Sequence, residues 1–457
     1  MLPPRVPARS RRRSPLLALG LTVLIGAGAA AGATTVFSSR AQDVTRDFTT
    51  RFEAGLRASR MARVENVTYR RGLTESTQSM TVTLRPGAAE QAVVLLVMNH
   101  IQHGPFPGLR HLGQAVVNTE VRLADSAAQA QLDRAFAGRK PVIQTVIGFG
   151  GDTNTRVEVP TGRLTEDGST VTWQPLAGNI RVSGTQSDTR LNWPGLTVQG
   201  QDGQAQLAGV TLSSGSRRQG PGDTLGLGRS SFTVDRLTFR GSGERVDLSG
   251  LKVSSESRAS GPDHLDALVS YDVGEFSATG TTLRNVGLHL GLRHLARAPL
   301  NRLLNTLGEP QAADGAAPQF SAAQTAQMKT DLMALLRGSP RLTLDRLSLR
   351  QSSGDVTLTG EVGLGGAAAL SERELEMLGQ MPQMLAGMLD VRLDARASEK
   401  ALNGLLALFG QAGGQDLSGM VKQLAEAGYV ERRGGQLTAH FSMRGGQPLL
   451  NGQALGE

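Results

Sequence analysis

The sequence predicts a mainly β protein with some α structure: a long curved antiparallel sheet of repeated hairpins with lining or capping helices, preceded by one transmembrane helix. Three observations lead there. Glycine makes up 57 of 457 residues while aromatic residues make up only 4%, a usage suited to many short strands joined by frequent turns rather than to a large α/β core. A strand–turn–strand unit recurs: residues 196–214 (LTVQGQDGQAQLAGVTLSS) align without gaps on 237–255 (LTFRGSGERVDLSGLKVSS), and residues 235–250 match 345–360 (DRLSLRQSSGDVTLTG) at eight of sixteen positions. Finally, the 22 residues 16–37 carry no charge.

As a helix, residues 16–37 would span roughly 33 Å, about the thickness of a bilayer core. Arg5, Arg9, Arg11, Arg12 and Arg13 precede this run, and no acid occurs in residues 1–37. The positive-inside rule therefore leaves residues 1–15 in the cytoplasm as an Arg-rich tail, makes 16–37 a single-pass membrane anchor, and puts the bulk of the chain outside the cytoplasm. A cleaved signal peptide is the competing reading, with the small residues at 27–33 as its cleavage site. Residues 38–62 then space Val44, Phe48, Phe52 and Leu56 four apart, one apolar stripe on a charged, membrane-proximal helix. Residues 63–457 form the β-rich body. The same five arginines supply most of the formal net charge of +8. Without them no basic stripe interleaved with aromatics remains, and nucleic-acid binding is disfavoured. The chain has no cysteine, which excludes thiol nucleophiles, thiolate metal sites and disulfides.

Within the body, apolar and polar residues alternate, so one face of each hairpin is apolar and must be covered by helices, a partner or a greasy ligand. Leu237, Phe239, Val246, Leu248, Leu347, Leu349, Val356 and Leu358 alternate with Thr, Arg, Asp and Ser, which places all eight on a single face in one register. Helical spacing with few turn residues marks 293–307, Ala322–Arg337, 370–389 and 399–409, and more weakly 416–427, with Asp416 as its N-cap. How completely such helices fill the apolar face decides what the face can do.

One short stretch, NHIQHGPFPGL at 99–109, raises the question of chemistry. It ends a Val/Leu-rich strand, and period-two alternation puts His100 and His103 on opposite faces. A metal pair needs both imidazoles on one side, so the reading is a strand end whose histidine ties down the stiff turn at Gly104–Pro107. This stretch, with YRRGLTESTQS at 69–79 and IGFGGDTNTRVEV at 147–159, resembles the YdgA-like family of bacterial envelope proteins, a domain of unknown function. The residues carrying the resemblance are Tyr69 and Gly72, then His103, Gly104, Pro105, Phe106 and Pro107, then Gly148, Gly151 and Asp152, and near the C-terminus Asn451 and Gly452. It implies a membrane segment and an envelope β fold, and it supplies no catalytic residues.

No G-x-S-x-G, Walker A or H-E-x-x-H motif is present. The Gly-rich GLGRSSF (226–232) and GFGGDT (148–153) precede strands and read as turns, since a phosphate cradle needs a helix N-terminus. His289 is expected to end a strand and His294 to start a helix. No catalytic residue, cofactor or metal is expected. The function expected is that of a non-enzymatic, membrane-anchored envelope protein that binds lipid or another hydrophobic cargo on its apolar sheet face. Two alternatives stand beside it: a structural or homo-oligomeric scaffold, and a periplasmic hydrolase using His103 or His264 with a loop acid.

Overall fold

Antiparallel pairing dominates the computed structural model of the chain. It describes residues 62–84, 92–220, 225–241, 243–278, 281–308, 320–366, 387–401 and 425–455, with a few isolated positions between. The segments expected to cross the membrane (16–37) and to form the membrane-proximal helix (38–62, save its last residue) lie outside these residues. So do most of the expected helices at 370–389, 399–409 and 416–427. Among the described residues no helix is long and apolar enough to cross a membrane. The fold is mainly β with few helices, as the composition requires. It divides into two compact units, one ending at Val182 and taking in Leu196–Gln201, the other formed by Ser183–Gly195 and the chain from Asp202 onward.

In the first unit, β1 (Ala62–Arg70), β2 (Glu75–Leu84), β3 (Val93–His103), β4 (Ala115–Leu123), β5 (Val142–Ile147) and β6 (Thr153–Val159) pair in sequence order, and β9 (Leu176–Ser183) joins β6. A hairpin of β7 (Gly162–Glu166) and β8 (Ser169–Trp173) pairs further with Leu196–Gln199 of β10 (Gln186–Gly200). The burial of β2 alternates residue by residue, the period of a strand with one covered face. Val64, Met80, Val82, Leu84 and Leu95 form the core of that face, with Val93, Val97, Val121 and Leu123 packed around them. Helix α1 (Ser126–Ala135) crosses from β4 to β5, capped by Asp125, whose carboxylate accepts the Ala127 and Ala128 amides. Just beyond α1, Phe136 meets the Trp173 ring edge to face at 5.5 Å.

The second unit is a longer ladder. β11 (Gly203–Arg218), β12 (Gly226–Gly241), β13 (Glu244–Ala259), β14 (His264–Ala278), β15 (Thr281–Ala296), β16 (Arg341–Gln351), β17 (Gly354–Leu364) and β18 (Leu389–Ser398) pair consecutively. β20 (Gln436–Arg444) follows, flanked by β19 (Glu431–Arg433) and by β21 (Gln447–Leu450), which pairs with β22 (Gln453–Ala454). The second and third sequence repeats are the hairpins β12–β13 and β16–β17. GLGRSSF is not a turn but the start of β12. Gly228 lies so close to β11 that an added Cβ would fall 2.0 Å from the Gly215 carbonyl, a close approach that glycine permits.

Helix α2 (Arg297–Gly308) starts four residues later than the spacing predicts, because Arg293 to Ala296 stay in β15, paired with β14 and β16. Ladder hydrogen bonds outweigh a modest helical propensity there. His294 is accordingly a strand residue, as is His289. Helix α3 (Ala322–Arg337) has the predicted bounds. Its N-terminus carries a capping box, in which Ser321 accepts the Gln324 amide and the Gln324 side chain accepts the Ser321 amide. The two helices are joined by fully buried Asp331, which accepts Arg302 at 2.6 Å and Gln327 at 3.0 Å.

Candidate functional site

The motif residues of the first unit meet at one end of its sheet. Because β1 to β6 form a meander, the β1–β2, β3–β4 and β5–β6 connections all emerge at the same end. His103 lies on the covered side of β3 with Ile101 and Asn99, whereas His100 is exposed on the other side, as strand alternation requires. His103 does not bond the Pro105–Pro107 corner. Its Nε2 lies 2.8 Å from the Ser76 hydroxyl on β2, and that hydroxyl accepts the Gly72 amide at 3.3 Å. His103 thus joins the Tyr69–Gly72 motif to the His-Gly-Pro-Phe-Pro motif.

The third motif is attached by backbone. Gly104 donates to the Gln114 carbonyl, Gly113 to that of Pro105, and Gln114 to that of Ile147, while the Gln114 side chain reaches the Phe149 carbonyl. Gly148 donates to the Asp152 carbonyl and Gly151 to that of Gly148, closing the β5–β6 turn. The approach at Gly104 is tight enough to require glycine, since a Cβ there would lie 1.9 Å from the Gly113 carbonyl; one at Gly148 would lie 2.5 Å from the Asp152 carboxylate, which would have to move aside. Pro107 is buried, but Phe106 points to solvent, and Tyr69 is also exposed.

Asn451 and Gly452 form the β21–β22 turn in the other unit, both with positive φ, 49° and 81°, the conformation that Asn-Gly favours. Asn451 also accepts the His440 amide and donates to the Tyr429 carbonyl.

The two histidines considered for hydrolysis have different neighbours. Ser76 is 2% exposed, and no carboxylate among the described residues hydrogen-bonds His103. His264 stacks on His294 at 4.0 Å. The neighbouring Asp266 accepts the backbone amide of His294, and His294 Nδ1 lies 2.7 Å from the Gly338 carbonyl. Among the described residues no three His, Asp or Glu side chains are grouped to hold a metal ion.

The eight apolar residues belong to the second unit. Leu237 pairs with Leu248 and Phe239 with Val246; Leu347 pairs with Leu358 and Leu349 with Val356. Each quartet therefore shares a face. The single register expected for all eight is not kept. Leu347 and Leu358 belong to a row running Leu212, Phe232, Val253, Tyr271, Leu288, Leu347, Leu358, Ala395 across β11 to β18. Leu237 and Leu248 belong to a second row, Leu207, Leu237, Leu248, Phe276, Leu283, across β11 to β15. In each of those five strands the two rows stand five residues apart, an odd offset that an unbroken pleat would send to opposite faces. The pleat is broken between them: Gly209, Asp235, Gly250, Gly274 and Asn285 form a column, and Gly209, Gly250 and Asn285 have φ of 64°, 65° and 50°. A local break of this kind re-aims the side chains that follow, so the apolar pattern changes phase where the backbone does. None of the eight residues is buried. Phe239 is 45% exposed, and Phe232, Tyr271, Leu290, Leu292 and Leu342 are exposed as well.

Charges flank this ladder in pairs. Arg293 makes two bonds to Asp345, at 2.8 and 2.7 Å. Burial alone would raise the Asp345 carboxyl, but the Arg293 and Thr343 hydrogen bonds and the Arg293 charge outweigh it and hold it below the ordinary carboxylate range. Asp266 is likewise held low: burial opposes ionisation, and the His294 amide, the Ser260 hydroxyl and the charges of Arg258 and Arg293 overcome it.

No curated protein and no solved structure matches the chain. The family model described as a bacterial protein of unknown function (DUF945) matches residues 15–457, nearly the full length that the motif order spans, and the chain belongs to that family.

Proposed function

We propose that this is a non-enzymatic, membrane-anchored envelope protein of the YdgA-like kind, whose curved sheet holds lipid acyl chains or another hydrophobic cargo on the apolar rows of the second unit. One observation carries the reading. Two long cross-strand rows of Leu, Val, Phe and Tyr run through the ladder, and none of the eight apolar residues named from the sequence is buried. Contiguous exposed apolar surface is rare on a soluble monomer and marks a binding surface. The anchor at 16–37 supports an origin for such a cargo in the inner membrane, with residues 1–15 cytoplasmic and the rest periplasmic.

Native mass spectrometry of the full chain extracted in gentle detergent is expected to show co-purified lipid. Leu349→Asp and Leu237→Asp are expected to keep the circular dichroism of the wild type, because a carboxylate placed on a partly solvated face keeps most of its hydration. Both should lose lipid and photo-crosslinking to acyl chains. Wild-type protein without lipid, together with variants that merely unfold, would remove the cargo reading and leave a scaffold.

A further inference from the structure

The motif end of the first unit carries a feature that the cargo reading does not use. Five large apolar side chains project from its three loops: Leu73 between β1 and β2, Phe106, Leu109 and Leu112 between β3 and β4, and Phe149 between β5 and β6. Their exposure is extreme for such residues, 98% at Leu73 and 91% at Leu109. Leu109 sits in the left-handed region at φ 57°, a conformation in which a leucine side chain is disfavoured. The loops that carry these tips are built rigidly, by the Gly104–Gln114, Gly113–Pro105 and Gln114–Ile147 backbone bonds and the Ser76–His103 contact. The motif residues thus serve to hold apolar tips in water.

The charge around the tips is one-sided. Arg70, Arg71 and Arg110 are exposed among them and have no ion-pair partner among the described residues. The loops themselves, at 71–74, 104–114 and 148–151, contain no acid; Glu75 and Asp152 lie at their bases, with Glu75 accepting the Gln102 amide. These Leu and Phe side chains are spread over three neighbouring loops and interspersed with arginines. They match a headgroup layer: the apolar tips reach the acyl boundary, while the guanidinium groups stay at the level of the phosphates.

We propose that this end of the first unit docks on an anionic lipid bilayer surface, with Leu73, Phe106, Leu109, Leu112 and Phe149 inserted and Arg70, Arg71 and Arg110 on the phosphates. The surface is separate from the cargo rows, which belong to the second unit, so either reading can fail without the other.

Trp173 and Trp193 are both buried, so a tryptophan placed at a tip can be read above their baseline in the full chain. Leu109→Trp, with Phe149→Trp as a second probe, is mixed with vesicles of brominated phosphatidylglycerol and phosphatidylcholine. The expected result is quenching several-fold above the wild-type baseline and a blue-shifted emission. The effect should weaken with added salt and on Arg70→Gln/Arg71→Gln/Arg110→Gln substitution. Tip tryptophans that stay accessible to iodide on every vesicle would overturn the proposal. So would equal quenching in vesicles of phosphatidylcholine alone, or a blue shift that follows protein concentration without lipid, which would assign the tips to a second copy of the chain.

Discussion

His103 and Gly209 show how single positions act through packing. His103 links β3 to β2 through Ser76 and, through the Ser76 hydroxyl, to the Gly72 amide. Its replacement by Ala leaves the hydroxyl of buried Ser76 with only the long Gly72 contact, which should cost about 1–3 kcal/mol and lower the melting temperature. His100→Ala, on the exposed side of the same strand, should be close to neutral. A melt in which the two variants lose equal stability would sink this account. Gly209 is constrained differently: its φ is 64°, and a Cβ would fall within 2 Å of the Asp235 carboxylate. Gly209→Ala should destabilise by about 1 kcal/mol or more from the backbone alone, with the clash added. Asp235→Ala placed on top should relieve only part of the clash, because the Asp235 Cβ would itself lie 2.6 Å from the added one, and none of the backbone cost, so the double variant should lie between wild type and Gly209→Ala in a denaturant titration.

The α2–α3 hairpin rests on one buried carboxylate. Asp331 is fully enclosed, yet its partner Arg302 is half in solvent, so the pair is worth less than a sealed one. Asp331→Ala should cost about 1–3 kcal/mol, mainly by leaving Arg302 and Gln327 without their acceptor. Hydrogen exchange should localise the loss to α2 and α3 while the β11–β14 amides keep their protection; a uniform loss across the ladder would contradict a local clamp. Among the strands, the repeated hairpins show how an element corrects its own register. In Leu207-Ala-Gly209-Val210 and Leu248-Ser-Gly250-Leu251 the apolar spacing widens from two to three across the glycine, and the pleat breaks at that glycine. The signal was present in the sequence, but plain alternation does not look for it.

Acid should test the ladder and its charges together. Asp345 and Asp266 have folded-state carboxyls held below the value near 3.9 expected of an unfolded chain. Groups depressed on folding contribute stability that is present above the unfolded value and lost as pH falls through the folded one. Stability is therefore expected to be flat from neutral pH to about 5 and to decline below it, with a shallower acid limb in Asp345→Asn. An unchanged acid limb in that variant would show that the Arg293–Asp345 pair contributes nothing to it.

The sequence by itself determined the β class, the hairpin repeats, α3 with its bounds, and the opposite facing of His100 and His103, because each follows from local period, turn chemistry or capping. Tertiary structure alone decided the rest. Residues 293–296 became strand because β14 and β16 offered hydrogen bonds that a helix start could not match. His103 found Ser76, 27 positions away in the chain, rather than the turn beside it, because strand register brought the two together. That the motif loops share one end, and that the kinks of neighbouring strands line up in one column, depends on pairing between distant strands, which alternation within a single strand does not encode.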